Sequence, residues 1–397
     1  MNATQFDVVV VGGGPSGSVV ADDLARQGHT VMLLDRQSRT KPCGGAIPPR
    51  LIKDFAIPDH LLVARVRCAR MISPKDNRVD IPIDNGFVGM VNRDTFDEYL
   101  RERAAAHGAI RWRGAFDRIT RDEDGVARVH FQDVGRHGLG DARSVRARMV
   151  VGADGARSEV ARQAIEGADR TRYVFAYHEI VRAPQNDPQH DPDRCDVYYQ
   201  GWISPDFYGW VFPHGDTVSV GTGSADKGFS LRGSVAGLRR VAGLAGTETL
   251  RREGAPIPLK PLPRWDNGRD VVLAGDAAGV VAPASGEGIY YAMACGRMVA
   301  DAVHQALLTG EPTCLKQARR RFLRQHGRVF WVLGVMQHFW YQNDRRRERF
   351  VKICEDRDVQ RLTFESYMNK ELVRRNPMAH VRIFFKDLAH LFGLVRT

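Results

Sequence analysis

The segment FDVVVVGGGPSGSVVADDLARQGHTVMLLD, residues 6–35, decides the fold. Its apolar run FDVVVV is a strand, and Gly12-Gly13-Gly14-Pro15-Ser16-Gly17 is the GxGxxG turn that follows it. Gly12 permits the tight bend, Gly14 lets a pyrophosphate approach the backbone, and Gly17 lets helix and strand pack closely. Ala21 to Arg26 continues as a helix, Gly28 ends it, and Thr30 to Leu34 forms a second strand closing on Asp35, with Arg36 beside it as a further cofactor contact. An acidic side chain at that spacing accepts a bond from a ribose hydroxyl, while Pro15 and Ser16 open the helix that holds the phosphates. The chain is therefore expected to bind a dinucleotide.

Two more turns follow strand-like runs far along the chain: Gly152-Ala153-Asp154-Gly155 after RMVV, and Gly275-Asp276-Ala277-Ala278 after DVVLA. A nicotinamide enzyme has no need of them. FAD does, because its ribityl chain and isoalloxazine ring extend beyond the dinucleotide fold. Asp154 and Gly155 are expected on the cofactor, and Asp276, at a strand end after Gly275, is placed to hold a ribityl hydroxyl. The stretch Pro283-Ala284-Ser285-Gly286-Glu287-Gly288-Ile289 opens a helix whose amino end would face the flavin pyrimidine edge and favour the negative charge of reduced flavin. Any one of these turns alone is ordinary strand-end punctuation. Three in this order predict bound FAD.

The three turns resemble those of FAD proteins built like aromatic hydroxylases. Asn92-Arg93-Asp94-Thr95-Phe96-Asp97 with Leu100 resembles their RxxFDxxL helix start, which implies that Arg93 reaches the cofactor. Tyr208-Gly209-Trp210-Val211-Phe212-Pro213-His214-Gly215 resembles the YxWxFPxG pattern of geranylgeranyl reductases, and Pro42-Cys43-Gly44-Gly45 resembles their PxCGG turn. The resemblance runs from Phe6 to about Gly296 with the order of motifs kept. With KPCGGAIPPRLI at Lys41 to Ile52 and GDAAGVVAPASGEGIYYAM at Gly275 to Met293, the chain is most similar to members serving bacteriochlorophyll synthesis.

The resemblance implies an FAD-dependent reductase that hydrogenates isolated double bonds of a geranylgeranyl chain to phytyl, the chain being carried on bacteriochlorophyll or as a diphosphate. Isolated alkenes are difficult hydride acceptors, since no neighbouring carbonyl delocalises charge. A proton and a hydride must reach the two carbons inside a dry, close-fitting channel. Tyr208, Trp210, Phe212 and Pro213 are expected to form an aromatic wall for the prenyl chain, alternate side chains of one strand sharing a face. Without the resemblance they read as a core strand. Cys43, beside Gly44 and Gly45 where backbone can approach the flavin, is either a proton donor or redox sensor, or a buried inert thiol. Glu287 and His214 are further candidate acids, and Tyr208 and Trp210 are expected near the reacting carbons.

A single GxGxxG leaves no separate NADPH domain; the resemblance implies that NADPH docks transiently on the flavin domain as electron donor, and reduced ferredoxin would leave the same sequence. Two rival functions share the motifs. One is a flavin monooxygenase or halogenase, although halogenases show WxWxIP where this chain has Tyr208, Trp210 and Phe212; the other is a non-catalytic pigment escort that keeps FAD for structure.

The expected architecture is α/β with mixed α+β content. A Rossmann-like FAD-binding domain over 1–60, 90–165 and 265–315 is interleaved with an antiparallel-sheet substrate domain over 61–89 and 166–264, followed by a basic helical region over 316–397. The 397 residues, 43% apolar and 26% charged, suffice for two domains. Six dispersed cysteines without metal-ligand spacing read as reduced cytoplasmic thiols, and no metal site is expected. MNATQFD has no basic start, so neither a signal nor a transit peptide is expected.

The region 316–397 carries 19 Lys or Arg against 8 Asp or Glu and so holds the whole net charge of +11. Within it Arg328 to Tyr341 is aromatic-rich, flanked by arginines, and too short for the roughly 20 apolar residues of a membrane span. A second stretch, Val381, Phe384, Phe385, Leu388, Leu391, Phe392 and Val395, recurs at helical spacing. Such helices suit the surface of an anionic (photosynthetic) membrane, where each nearby cation contributes about 1 kcal/mol, or they cap the protein's own core. Nucleic acid is the poorer explanation and is not expected as a partner, because the arginines alternate with large apolar residues in helical phase, no nucleic-acid module is recognisable, and the flavin motifs occupy most of the fold.

Overall fold

The computed structural model describes residues 5–36, 41–84, 86–135, 138–185, 187, 190–361 and 370. The first half of the chain runs β1 (Gln5–Val11), α1 (Pro15–Arg26), β2 (Val31–Asp35), β3 (Ala46–Ile47), α2 (Pro49–Asp54), β4 (Leu62–Val66), β5 (Cys68–Ile72), β6 (Arg78–Pro82), β7 (Val88–Val91), α3 (Arg93–Ala106), β8 (Ile110–Arg121), β9 (Ala127–Gly135) and β10 (Gly138–Gly152). There follow α4 (Glu159–Ala164), β11 (Tyr173–Arg182), β12 (Arg194–Tyr198), β13 (Gly209–His214), β14 (Thr217–Ser224), α5 (Leu231–Val241), β15 (Thr249–Pro258), β16 (Val271–Leu273), α6 (Ile289–Thr309), α7 (Lys316–Trp340) and α8 (Asp344–Ile353). They gather into two compact units: Met1–Lys41, Arg93–Val174 and Pro256–Arg328; and Pro42–Asn92, Phe175–Ala255 and Val329–Thr397.

In the first unit β8, β2, β1, β10 and β16 pair in parallel in that order. Their runs VMLL, VVVV, MVV and VVL are apolar and largely buried, as strands covered on both faces read. β8 and β10 are long. One end of each completes the parallel sheet, while the other pairs with β9 in an antiparallel meander. α1 packs against α3 and α6. Val11 lies beside Gly152, and Gly152 beside Leu273, so β1, β10 and β16 finish level and the three glycine turns leave the sheet side by side. Open α/β sheets bind ligands at these carboxyl ends.

The second unit holds a seven-stranded sheet, β15-β11-β14-β13-β12-β5-β6, and a small sheet, β3-β7-β4. Alternation gives the large sheet two different faces. One buries Tyr177, Val181, Val211, Val218 and Val220 against Val235 and Leu238 of α5. The other presents Trp210 and Phe212, and Phe212 packs on Val66, Val88 and Met90 of the small sheet. Residues 42–60, which the sequence assigned to the cofactor domain, cluster with this second unit, because β3 pairs with β7.

α7 mixes the two fates expected for the basic region: Phe322, Phe330 and Trp340 are buried, while Trp331 is 70% and Val335 49% exposed. The stretch from Val381 to Val395 lies outside the described residues. No described helix is long and apolar enough to cross a membrane.

Candidate functional site

The first unit brings its three glycine turns into contact. A Cβ on Gly17 would stand 1.9 Å from the Gly12 carbonyl oxygen, and one on Gly12 would stand 2.4 Å from that of Ala153. On Gly275, at φ +65°, it would meet the Cβ of Ser16 at 2.7 Å. Gly14 is the contrast: a Cβ there has nothing within 4 Å. Gly14 caps α1 with no side-chain bond, Pro15 occupies the first turn, and that turn carries no acidic group. The buried Ser16 hydroxyl has no hydrogen-bond partner. A helix amino end, open space in front of it and an unsatisfied hydroxyl are what a pyrophosphate requires, and the residues fit the cofactor.

Around this seat the side chains divide in a way the motifs alone did not reveal. Asp35 ends β2, and Arg101 of α3 reaches both its carboxylate, at 3.4 Å, and the Gly13 carbonyl, at 3.0 Å. Arg36 is exposed. Arg93, expected to reach the cofactor, makes a buried bidentate pair with Asp97, 2.8 Å on each arm. It is Arg101, two turns further along α3, that touches the GxGxxG loop. Asp154 accepts from the Glu159 N–H (2.7 Å) and the Val160 N–H (3.2 Å) and also pairs with Ser158, so it caps α4. Burial raises its carboxyl above the ordinary range, against those bonds. Asp154 thus caps α4, and a Cβ on Gly155 beside it would meet nothing within 4 Å.

Asp276 is half-buried, its side chain 8% exposed and ion-paired to Lys41. The loop from Pro283 to Gly288 folds tightly, the Gly286 N–H donating to Ala282 O (3.0 Å) and the Ala282 N–H to Glu287 O (2.9 Å). Ala284 takes φ +62°, a conformation costly for a residue with a Cβ. Glu287 is half-buried in this loop, and Ile289 starts α6 behind Gly288, a cap without a side-chain bond.

The second unit assembles the other motif residues. Gly44 lies on the Phe212 ring, where its Cβ would be 3.2 Å away, and Gly45 takes φ +68° with the His214 ring and Val91 O each 2.5 Å from a Cβ. The Gly45 N–H donates to the Cys43 sulfur at 3.4 Å. His214 Nε2 meets the Gly44 carbonyl at 3.1 Å. A carbonyl only accepts, so Nε2 carries the proton. Burial pushes the His214 ring down to about 4, the Gly44 bond opposing it. At neutral pH this residue is a fixed donor to the turn, which corrects its expected role as an acid.

Phe212, Trp210 and Tyr208 form a row, with ring centroids 6.4 and 6.1 Å apart. Strand alternation turns Pro213 to the opposite face with Val211, so it leaves the aromatic wall. Tyr199 extends the row from Tyr208, at 6.1 Å, to Tyr341 and to Phe350 of α8. Arg101, Tyr199 and Tyr341 belong to no recognisable motif, and of the side chains the fold adds to these sites only Lys41, inside the KPCGG stretch, carries a signal in the sequence. Among the described residues no cluster could hold a metal ion.

Comparison with known proteins bears on both units. The family described as pyridine nucleotide-disulphide oxidoreductase matches residues 6–193. The chain is 56% identical to a geranylgeranyl diphosphate reductase of Rhodobacter capsulatus over 391 residues, 98% of each chain. It is 38% identical to the protein of that name from Synechocystis, over 97% of each. In fold it is similar to a geranylgeranyl bacteriochlorophyll reductase-like protein of Thermoplasma acidophilum, with a TM-score of 0.80 and 22% identity over 95% of this chain and 100% of that one.

Proposed function

The chain belongs to the geranylgeranyl diphosphate reductase family, and from that premise we propose that it is an FAD-dependent reductase of a geranylgeranyl chain, with NADPH as electron donor and geranylgeranyl-bacteriochlorophyll as the preferred carrier. Bound FAD supplies the hydride. The chain's own residues do the rest. Gly14 and the start of α1 would take the pyrophosphate, Asp35 held by Arg101 would take a ribose hydroxyl, and Asp276 would take the ribityl chain.

The observation that carries the substrate half is the aromatic row Phe212–Trp210–Tyr208–Tyr199, a strip of rings suited to the apolar, methyl-branched isoprene units of a prenyl chain. Cys43 is the candidate proton donor of this set. Its sulfur accepts a backbone N–H, while the single N–H of neutral His214 is committed to the Gly44 carbonyl. Family membership stands against both the halogenase and the pigment-escort alternatives.

Anaerobic incubation with FAD, NADPH and geranylgeranyl-bacteriochlorophyll, followed by mass spectrometry, tests this reading: each reduced bond adds two mass units. Unchanged mass rejects the reductase. Bleaching by dithionite but not by NADPH rejects the donor. Faster turnover of the free diphosphate rejects the carrier.

A second proposal rests on α7, whose outward stripe runs from Arg321, Arg324 and Arg328 to the exposed Trp331 and Val335. Basic and aromatic groups in that order suit peripheral contact with an anionic membrane.

A further inference from the structure

Behind the aromatic row lies a chain of buried polar groups that no cofactor or substrate contact so far explains. Trp210 Nε1 meets the Ser219 hydroxyl at 3.1 Å, Ser219 meets His178 Nδ1 at 3.0 Å, and His178 Nε2 meets Glu253 Oε2 at 3.0 Å. Ser219 is fully buried, His178 is 3% exposed, and Glu253 stands at the partly solvated end. Three strands contribute: β14 the serine, β11 the histidine and β15 the glutamate.

Chemistry fixes the two ends of the chain. An indole N–H only donates, so Ser219 accepts from Trp210, and a carboxylate only accepts, so Glu253 takes the His178 Nε2–H; the Ser219–His178 Nδ1 contact joins the two ends. Glu253 is held in turn by Arg251, 3.5 Å away. The backbone beneath is shaped to match, since Gly221 pairs with Trp210 across β13 and β14 and a Cβ there would stand 2.2 Å from the indole Cζ2 and 2.6 Å from the His178 Cβ. A buried tryptophan in an ordinary core needs one acceptor. This one has an acceptor that is itself oriented by two further groups, and a bare strip of backbone to lie on.

We propose that Ser219, His178 and Glu253 are positioning residues that fix the plane of the Trp210 indole, and through it the register in which the prenyl chain lies along the row. This rests on the reading of Trp210 as substrate lining given above. With the indole free to tilt, the chain slides, and the double bond presented for reduction changes before the rate of any one reduction does.

The test compares Trp210→Phe, Ser219→Ala, Glu253→Ala, Glu253→Gln and Gly221→Ala in the full-length, FAD-loaded protein. The readouts are KM, kcat, the ratio of partly to fully reduced prenyl products, and the emission of Trp210 taken as the wild-type minus Trp210→Phe difference. Ser219→Ala and Glu253→Ala are expected to raise KM about five- to ten-fold, as loss of one buried hydrogen bond does, to enrich partly reduced products, and to shift the indole emission. Glu253→Gln, which still accepts from His178 Nε2, restores the wild-type product ratio. Gly221→Ala, which displaces the ring sterically, reproduces the altered ratio if Ser219→Ala fails to fold.

If Trp210→Phe leaves KM and products unchanged, the substrate-lining reading itself fails. If Trp210→Phe alters them while Ser219→Ala, Glu253→Ala and Gly221→Ala do not, or if Glu253→Gln behaves as Glu253→Ala, that reading stands and the positioning array is overturned.

Discussion

Replacing Gly14 by alanine separates the cofactor seat from the stability of the fold, because the two effects carry opposite signs. Gly14 sits at φ −73° and ψ −178°, extended backbone that alanine adopts freely ahead of Pro15, and its new methyl would meet nothing within 4 Å. In flavin-free protein the substitution removes unfolded-state freedom without strain, and stability should rise by about 0.5 kcal/mol. The methyl fills the space a phosphate needs to reach the first N–H groups of α1. Losing two charge-assisted bonds at roughly 1.5 kcal/mol each weakens FAD by about 3 kcal/mol, on the order of a hundred-fold in Kd. Thermal unfolding of deflavinated protein and quenching of flavin fluorescence on titration measure the two quantities. Gly17→Ala is the control: its methyl would lie 1.9 Å from the Gly12 oxygen, so both stability and affinity fall. An unchanged FAD affinity in Gly14→Ala would falsify the assignment of the phosphate seat, and a joint fall in both quantities would show that the space is packed.

His214 predicts an acid limit to stability. Its folded value of about 4 lies below the ordinary 6.5, so between those values the unfolded chain takes up a proton that the folded one refuses. The contribution is complete above pH 6.5 and declines by about 3 kcal/mol as pH falls towards 4. Denaturant unfolding at pH 7 and pH 4.5 should show a shallower loss in His214→Gln, and identical slopes would contradict the assignment. On α7, wild-type protein should co-sediment with vesicles containing phosphatidylglycerol and much less with pure phosphatidylcholine. Trp331→Ser with Val335→Ser should weaken that partition at least about ten-fold, on the scale of 1.5–3 kcal/mol per buried side chain. Equal binding by the double variant would discard this face.

The parallel sheet and its glycine turns were legible because they depend on local rules: an apolar run, a turn that tolerates no side chain, and a helix start. Gly12, Gly17 and Gly275 stand where those rules require. What stayed hidden depends on partners remote in sequence. Asp154 follows a strand in the same manner as Asp276, yet it is consumed by the amide groups of α4, which only the fold brings to it. Nothing in the sequence sets Arg101 apart from the other arginines of its helix, Arg93 and Arg103. Ser219 and Gly221 in the strand TVSVGTGS did offer a clue, since small residues at alternate positions leave a trough for large ones on the neighbouring strand. Pro213 was misassigned by ignoring the same alternation.

The cofactor seat is closed by a strand that arrives late. β16 joins β10, and Gly275 comes up against Ser16, only after more than half of the polypeptide has been made. During synthesis the emerging amino-terminal segment therefore has the phosphate loop but not its far wall, and the intervening chain must be accommodated before that wall can dock. Flavin capture consequently waits for β16 to emerge, and a nascent chain halted ahead of Val271 should remain colourless however much FAD surrounds it.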